Sequence, residues 1–290
     1  MNNPETQNTI CLEEATIISQ QSFPGDQYIL RVHAPRSAAC AIPGSFVHLA
    51  CSTTIPMRRP LSIMRAHQRK GWLEFLYKPV GAGLEHLKKR TSGETLSLLG
   101  PIGNGFTLDP SRPNILAIGG GVGIPPMIFL AESLQSDNRF KVLVMMGSEV
   151  PFPFELSEAE ISVSGIPPTT SYSVTLLEKW DTPSRVASKA GYEGCFQGFV
   201  TELARIWLLR LSAQELQEVQ ILGCGPTDML KATTSLAKDF NLPCQLALEE
   251  YMACGVGGCA GCTVLLHTPQ GPTMKRVCVD GPVFDAYQVY

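Results

Sequence analysis

The sequence predicts three parts in series: a small antiparallel β-barrel, a doubly wound α/β domain, and a short C-terminal lobe organised by cysteines. Three observations carry this. Six short β-rich runs, separated by Gly, Pro and polar turns, fill the first hundred residues. Strand-like and helix-like segments then alternate from residue 114 to residue 240, the pattern of a parallel sheet. Residues 245–290 hold a tight group of cysteines and little periodicity. The boundaries follow as 1–110, 111–244 and 245–290.

In the first part the expected strands are 9–19, 27–34, 44–51, 61–64, 73–78 and 94–99, and 83–90 is the one helical candidate. Asp109-Pro110-Ser111-Arg112-Pro113 is a linker, because two prolines in five residues block both helix and ladder. Beyond it come strand 114–118, a run of glycines, an apolar helix at 126–134 and strand 141–146. A strand near 174–177, a helix near 201–209, strand 219–222 and a helix near 227–240 complete the alternation, with 157–170 left as a loop.

Composition narrows the function. At 44% hydrophobic and 17% charged, the 290 residues can bury a core throughout. A net charge of −3 with no Lys/Arg run offers nucleic acid no electrostatic footprint. No run approaches eighteen apolar residues, so no membrane span is expected. Residues 1–8 lack the basic start and apolar run of a signal peptide, which implies a cytoplasmic protein. Six of the ten cysteines (Cys11, Cys40, Cys51, Cys195, Cys224, Cys244) are scattered and read as reduced thiols.

The other four are spaced Cys254-x4-Cys259-x2-Cys262-x15-Cys278. The x4 and x2 intervals are the plant-type ferredoxin spacing for a 2Fe–2S cluster. Such a centre needs four thiolates, two per iron, and backbone N–H groups aimed at the sulfurs to offset their charge. Gly255, Gly257, Gly258 and Gly261 let a loop wrap that closely. Zinc is the alternative for four cysteines, but zinc knuckles pair ligands as C-x2-C twice, and only one such pair exists here.

An arginine pair and several glycine-bearing turns suggest bound phosphates. Arg59-Pro60-Leu61-Ser62 follows Arg58, and an arginine fork matches a pyrophosphate. Alone, this tetrapeptide reads more simply as a barrel strand with an exposed arginine. Leu76-Tyr77-Lys78, however, ends a strand that turns at Gly81-Ala82-Gly83 into the helical segment starting with Leu84, and a helix opening after glycines can hold a phosphate. Gly100-Pro101-Ile102-Gly103-Asn104-Gly105-Phe106 is a further glycine-rich turn. Gly119, Gly120, Gly121, Val122 and Gly123 then follow a buried strand and open a helix, the context a dinucleotide loop requires. It is not a clean G-x-G-x-x-G, since Ile124 takes the sixth position. Ser148-Glu149 after the next strand suits a ribose 2′-hydroxyl, and no basic residue lies between 145 and 155, which favours NAD over NADP. Cys224-Gly225-Pro226 again joins a strand to a helix at a strand C-terminus; Cys224 is a candidate neighbour of a nicotinamide, or a small buried thiol in a turn.

Taken in order, these sites resemble the ferredoxin–NADP reductase superfamily, and more narrowly the electron-transfer subunits of type B dihydroorotate dehydrogenases. The resemblance rests on the runs at 59–62, 76–78, 81–83, 100–106 and 119–127, on Cys224-Gly225-Pro226, on Met252-Ala253-Cys254-Gly255, and on Val277-Cys278-Val279-Asp280-Gly281-Pro282-Val283-Phe284. It covers most of the chain and is most specific at the C-terminus. It departs from the superfamily at Leu61, where an aromatic residue usually sits, and from the narrower family at Leu84, usually threonine, at the Ser148-Glu149 pair and in the loop after it.

The resemblance implies FAD on the barrel, NAD as exchangeable substrate on the α/β domain, and a 2Fe–2S cluster on the lobe. Arg59 is expected at the FAD pyrophosphate, Ser62 near the flavin ring, and Gly83 with Leu84 near the FAD phosphates. It also implies a partner chain, an FMN-containing dihydroorotate dehydrogenase catalytic subunit, in a two-plus-two heterotetramer serving pyrimidine biosynthesis. Electrons would enter at the cluster, pass to FAD, and leave as hydride to NAD. Flavin belongs between the two, since it alone exchanges both hydride and single electrons. Competing readings are a bifurcating NADH-dependent ferredoxin:NADP reductase, an oxygenase reductase, a redox-sensing module without turnover, and a zinc-bound lobe.

Overall fold

The computed structural model describes residues 10–290. The polar start at 1–8 and residue 9 of the first expected strand lie outside them. Among the described residues, no helix is long and apolar enough to cross a membrane.

The first part folds as strands β1 (Cys11–Phe23) and β2 (Gln27–His33), helix α1 (Pro35–Cys40), and strands β3 (Phe46–Leu49), β4 (Arg59–Ser62), β5 (Arg65–His67) and β6 (Trp72–Tyr77). Helix α2 (Gly81–Leu87) and strand β7 (Thr95–Ile102) follow. The seven strands form one sheet in the order β4-β3-β7-β1-β2-β6-β5. Every pairing is antiparallel. The expected antiparallel barrel is therefore present, with β5 as one strand more than the six read from sequence. The expectation of a single helix here is corrected by α1. Pro35 sits in its first turn, where the missing N–H costs nothing, and Ser37 and Ala38 are buried. Six residues are too short for a periodic signal. Ala15, Ile17, Leu30, Val32, Leu49, Leu73, Phe75 and Leu98 fill the core at 1% exposure or less. Each of the Val, Leu, Ile and Phe side chains among them contributes roughly 1.5–3 kcal/mol on burial.

The second part runs β8 (Asn114–Gly120), a 3-10 turn at Gly121–Gly123, α3 (Pro125–Leu134), β9 (Lys141–Gly147), β10 (Leu156–Glu158) and β11 (Tyr172–Val174). It continues through α4 (Thr175–Glu178), β12 (Ser184–Ala187), α5 (Val200–Leu208), α6 (Ala213–Gln217), β13 (Val219–Cys224), α7 (Thr227–Phe240) and β14 (Cys244–Ala247). Among the strands of this part the order is β12-β9-β8-β13-β14, within a six-stranded sheet. β9 pairs in parallel with both β8 and β12, and β13 in parallel with β8, as the alternation predicted. Three differences stand out. The segment expected as a strand at 174–177 ends its strand at Val174 and turns helical. β12, α6 and β14 lie outside the expected elements. The expected loop at 157–170 is mostly loop, with β10 pairing β11 at its base. The double-proline linker is not loose: the buried Gln220 side chain donates to Asp109 O at 3.0 Å and accepts from Asp109 N at 3.2 Å.

The C-terminal part contains β15 (Thr263–Thr268), β16 (Gly271–Arg276), β17 (Val283–Asp285) and α8 (Ala286–Val289). β15 and β16 form an antiparallel hairpin, where little periodicity was read. The chain divides into two compact units. One holds the chain up to Phe106 together with Ala247–Phe284; the other holds Thr107–Leu246 with Asp285–Gln288. The cysteine-bearing segment thus packs in the same unit as the barrel.

Candidate functional site

On the barrel, β4 and the opening of α2 bring Arg59 and Gly83 together. A Cβ at Gly83 would lie 2.7 Å from Arg59 Nε and 2.9 Å from its Cζ. Only a glycine lets the guanidinium rest against the first turn of α2. Arg59 is anchored by Nη1, which donates to Met57 O at 2.8 Å and Arg58 O at 3.1 Å. Its neighbour Arg58 is committed elsewhere: Nη1 donates to Ser97 O at 2.8 Å and Nη2 to Ser97 Oγ at 2.9 Å. Of the two arginines, then, one braces the barrel and one faces the glycine turn.

Pro60 and Leu61 pair with His48 and Val47, and the half-buried Ser62 closes the strand opposite Phe46. Leu84 is half-buried one residue beyond Gly83. Leu76 and Tyr77 are buried at the end of β6, and the half-buried Lys78 follows them. Tyr77 Oη donates to Gln20 Oε1 at 2.8 Å, and its ring stacks on Tyr28 at 5.4 Å. Burial raises its hydroxyl pKa far above the ordinary value, so it stays neutral.

In the second unit the glycine loop meets the end of β13. Cys224 pairs with Gly119 across parallel strands. A Cβ on Gly123 would stand 2.5 Å from the Cys224 carbonyl and from Gly225 Cα; one on Gly120 would stand 2.4 Å from Met229 Sδ. The two turns therefore nest through backbone clearances that exclude any side chain, bringing Gly119, Gly120 and Gly123 against Cys224 and Gly225. Gly121 adopts φ +55° with open space around it. Val122 is half-buried, Pro226 is exposed at the start of α7, and the Cys224 thiol is 1% exposed. Open strand C-termini of this kind are where parallel sheets receive ligands.

The four C-terminal cysteines stand as two pairs. Cys262 and Cys278, both buried, lie Sγ to Sγ at 3.3 Å, and Cys278 N donates to Cys262 Sγ at 3.4 Å. Cys254 and Cys259 face each other in the loop before β15. Val256 N donates to Cys254 Sγ at 3.5 Å, and Gly261 N to Cys259 Sγ at 3.4 Å. The loop reaches this shape through left-handed residues: Gly255 at φ +70°, Gly257 at +78° and Ala260 at +55°. Burial acts to raise the Cys254 pKa, but N–H groups of Val256, Cys259 and Gly258 and the Cys259 thiol outweigh it and bring it down to about 7. Burial and the Cys262 thiol push Cys278 upward. Arg276 ties the two arms, donating through Nη1 to Gly257 O at 3.0 Å and pairing through Nε with Asp280 at 3.1 Å. It sets a positive charge beside Cys262 and Cys278.

Among the described residues, no three His, Cys, Asp or Glu side chains converge on one point. Two thiol pairs with N–H donors aimed at sulfur have the chemistry to hold a two-iron centre, in which each pair would serve one iron. A lone tetrahedral ion requires all four ligands around one point.

The cysteine segment is latched to the barrel by residues that sequence reasoning did not assign. Asn104 Nδ2 donates to Val279 O and Asp280 O, both at 3.2 Å, and Asn104 N donates to Gly281 O at 2.6 Å. A Cβ on Gly103 would meet Pro282 Cδ at 2.4 Å. The glycine-rich turn at 100–106 is thus a socket for residues 279–282. Nothing local signals this, since the partners stand some 175 positions apart.

The chain is 33% identical over 283 residues to the dihydroorotate dehydrogenase B (NAD(+)) electron transfer subunit of Bacillus caldolyticus, covering 96% of this chain and 98% of the relative. It belongs to that family of electron-transfer subunits. The counterpart from Desulforamulus reducens is 29% identical, covering 95% of this chain and 97% of its own. Residues 249–290 match the family model for the iron-sulfur cluster binding domain of dihydroorotate dehydrogenase B, and all four clustered cysteines fall inside that range. Solved structures share the fold. One describing an NADH-dependent reduced ferredoxin-NADP oxidoreductase superposes with a TM-score of 0.76 at 24% identity, covering 95% of this chain and 89% of that one. Phthalate dioxygenase reductase superposes at 0.57 and 12%, covering 91% and 76%.

Proposed function

We propose that this chain carries electrons between a partner FMN-containing subunit, which oxidises dihydroorotate to orotate in pyrimidine biosynthesis, and NAD. The observation that carries the reading is the pair of thiol pairs at ferredoxin spacing, folded into the same unit as the barrel strand bearing Arg59. Residues 1–110 hold FAD, 111–244 take NAD, and 245–290 hold the 2Fe–2S cluster. Bound there, FAD supplies hydride exchange with NAD and single-electron exchange with the cluster.

The chain's own residues place and shield these groups. Arg59, anchored by its own turn, offers Nε and Nη2 to the FAD pyrophosphate beside Gly83 and Leu84. Pro60, Leu61 and Ser62 on β4, with Leu76, Tyr77 and Lys78 on β6, shape the flavin side of the barrel. Gly119, Gly120, Gly121, Val122 and Gly123 let the NAD phosphates approach backbone, and Cys224, Gly225 and Pro226 line the nicotinamide end. The exposed Glu149 beyond β9 suits a ribose hydroxyl, hence NAD over NADP. Cys254, Cys259, Cys262 and Cys278 ligate the cluster.

Apolar side chains around the cysteines mark where the partner docks. Tyr251 is 95% exposed, Val256 is exposed beside Cys254, and Leu265 and Met274 are exposed directly across the β15–β16 hairpin. The assembly is a two-plus-two heterotetramer. None of the ten cysteines forms a disulfide, which suits the reducing cytoplasm.

An anaerobic visible spectrum before and after NADH tests the reading. Flavin bands over a broad cluster absorbance, both bleached by NADH, are expected. Flavin bands alone, with zinc found by metal analysis, would reduce the chain to a simple flavoprotein reductase.

A further inference from the structure

His48 sits on β3 at 0% exposure, and its ring nitrogens face the backbone of Met252 and Cys254 without closing a hydrogen bond of good geometry. A buried, unmatched polar side chain costs on the order of 1–3 kcal/mol, and an apolar residue of the same size would avoid it. Apolar side chains flank it, with the charges of Arg58 and Arg59 near enough to act on the ring. Phe46, two residues earlier on the same face, meets the Gly103 position, and Ile102 meets the Gly255 position; both are buried. The imidazole faces the cysteine loop: a Cβ on Gly255 would lie 2.8 Å from His48 Nδ1. The ring also faces the backbone of Met252 and Cys254, and burial lowers its pKa, so it is neutral with one donor and one acceptor nitrogen. On its other side His48 pairs with Pro60 of β4, and its carbonyl accepts from Arg58 Nη1 at 3.2 Å.

We propose that His48 is a positioning residue for the Cys254 arm of the cluster loop, linking the strand that neighbours Arg59–Ser62 to the backbone around Met252–Gly255. It thereby sets the N–H donation that tunes the cluster's reduction potential. The link is short. Gly255 turns over the ring, and the next residue, Val256, supplies the N–H that reaches Cys254 Sγ at 3.5 Å. Hydrogen bonds to cluster sulfurs draw off negative charge and raise the potential. A loop that drifts from the ring loses donation, and the potential falls. Glycine is required at 255 because the ring occupies the space a side chain would need.

The inference rests on the cluster reading above, and the two fail differently. A wild-type protein with no iron–sulfur spectrum sinks that reading. A wild-type cluster that ignores His48 sinks this one. The experiment is an anaerobic redox titration of the FAD-loaded chain followed by electron paramagnetic resonance, on wild type, His48→Leu and His48→Asn. FAD and iron content are measured in the same samples. Leucine fills the space without polar atoms, whereas asparagine can place an amide where Nδ1 stands. His48→Leu is expected to cut the reduced-to-oxidised ratio about tenfold at the wild-type midpoint, a downward shift of ~59 mV for one electron. Loss of iron from His48→Leu with FAD retained supports the same conclusion. His48→Asn is expected to keep the wild-type midpoint and g-values. A His48→Leu cluster with wild-type midpoint and g-values overturns the proposal, as does an equal change in both variants, which would reduce His48 to a space-filler. Should His48→Leu fail to accumulate, His48→Met is read by the same criteria.

Discussion

Cys254 and Cys259 meet within a single loop near the surface, whereas Cys262 and Cys278 meet in the interior across the β15–β16 hairpin. The first pair is held by local backbone: N–H groups of the same glycine-rich loop point at its sulfurs. The second is held by tertiary structure, with Val277 N bonded to Cys262 O at 2.9 Å and both thiols at 3% exposure or less. On the proposed ligand set, a cluster would be held from a solvent-facing side supplied with N–H donors and from a buried side fixed by packing.

The sharpest way to break the comparison is to remove one sulfur from each side. Cys278→Ser is expected to abolish the cluster's visible absorbance and lose iron, because an interior hydroxyl cannot be replaced by water. Cys259→Ser is expected to leave an altered or partly occupied cluster, and both variants should keep FAD. Equal loss in the two would erase the distinction between the pairs. Iron content and visible spectra read the result.

A contrast of nearly the same size separates the cysteine segment from the nucleotide loop. Gly123→Ala forces a Cβ into the Cys224 carbonyl at 2.5 Å. Overpacking of this kind costs about 1–3 kcal/mol. A lower thermal midpoint and a raised KM for NADH are expected, with the cluster spectrum unchanged. A wild-type KM would detach this loop from nucleotide binding.

Smaller effects come from positions with softer neighbours. Gly83→Ala pushes only on the end of the Arg59 side chain, which can swing away. Losing one charge-assisted contact, worth about 1.5–3 kcal/mol, should weaken FAD binding on the order of tenfold or more. Titration of the deflavinated protein with FAD measures it. Unchanged affinity would remove Arg59 from the flavin site.

Thiol reactivity gives the finest reading. After iron is chelated, Cys254 should alkylate with a rate rising through about pH 7, because its thiolate forms there. Cys278, whose thiolate is disfavoured by burial, should stay inert over the same range. Mass spectrometry of the labelled peptides distinguishes them. Matching profiles would show that the two sides share one environment once iron is gone.

The sequence by itself determined whatever is written in neighbouring residues. Strand–turn alternation placed the barrel, strand–helix alternation placed the parallel sheet, and α7 was legible from end to end. The x4 and x2 intervals pointed to the cysteine centre, and the glycines at 119–123 pointed to a strand-to-helix loop. Short elements escaped: α1, β12 and α6 span one or two turns of pattern, too little for periodicity to rise above chance. The β15–β16 hairpin escaped because its strands are mostly exposed or half-buried and carry no apolar alternation.

Only the tertiary structure decided what each glycine and polar side chain faces. It assigned the turn at 100–106 to residues 279–282, separated Arg58 from Arg59, sorted four cysteines into two pairs, and set a buried histidine under Gly255. These are contacts between residues far apart in the chain. Their energy comes from shape and hydrogen-bond matching that exists only once both partners are in place, so no local pattern records them.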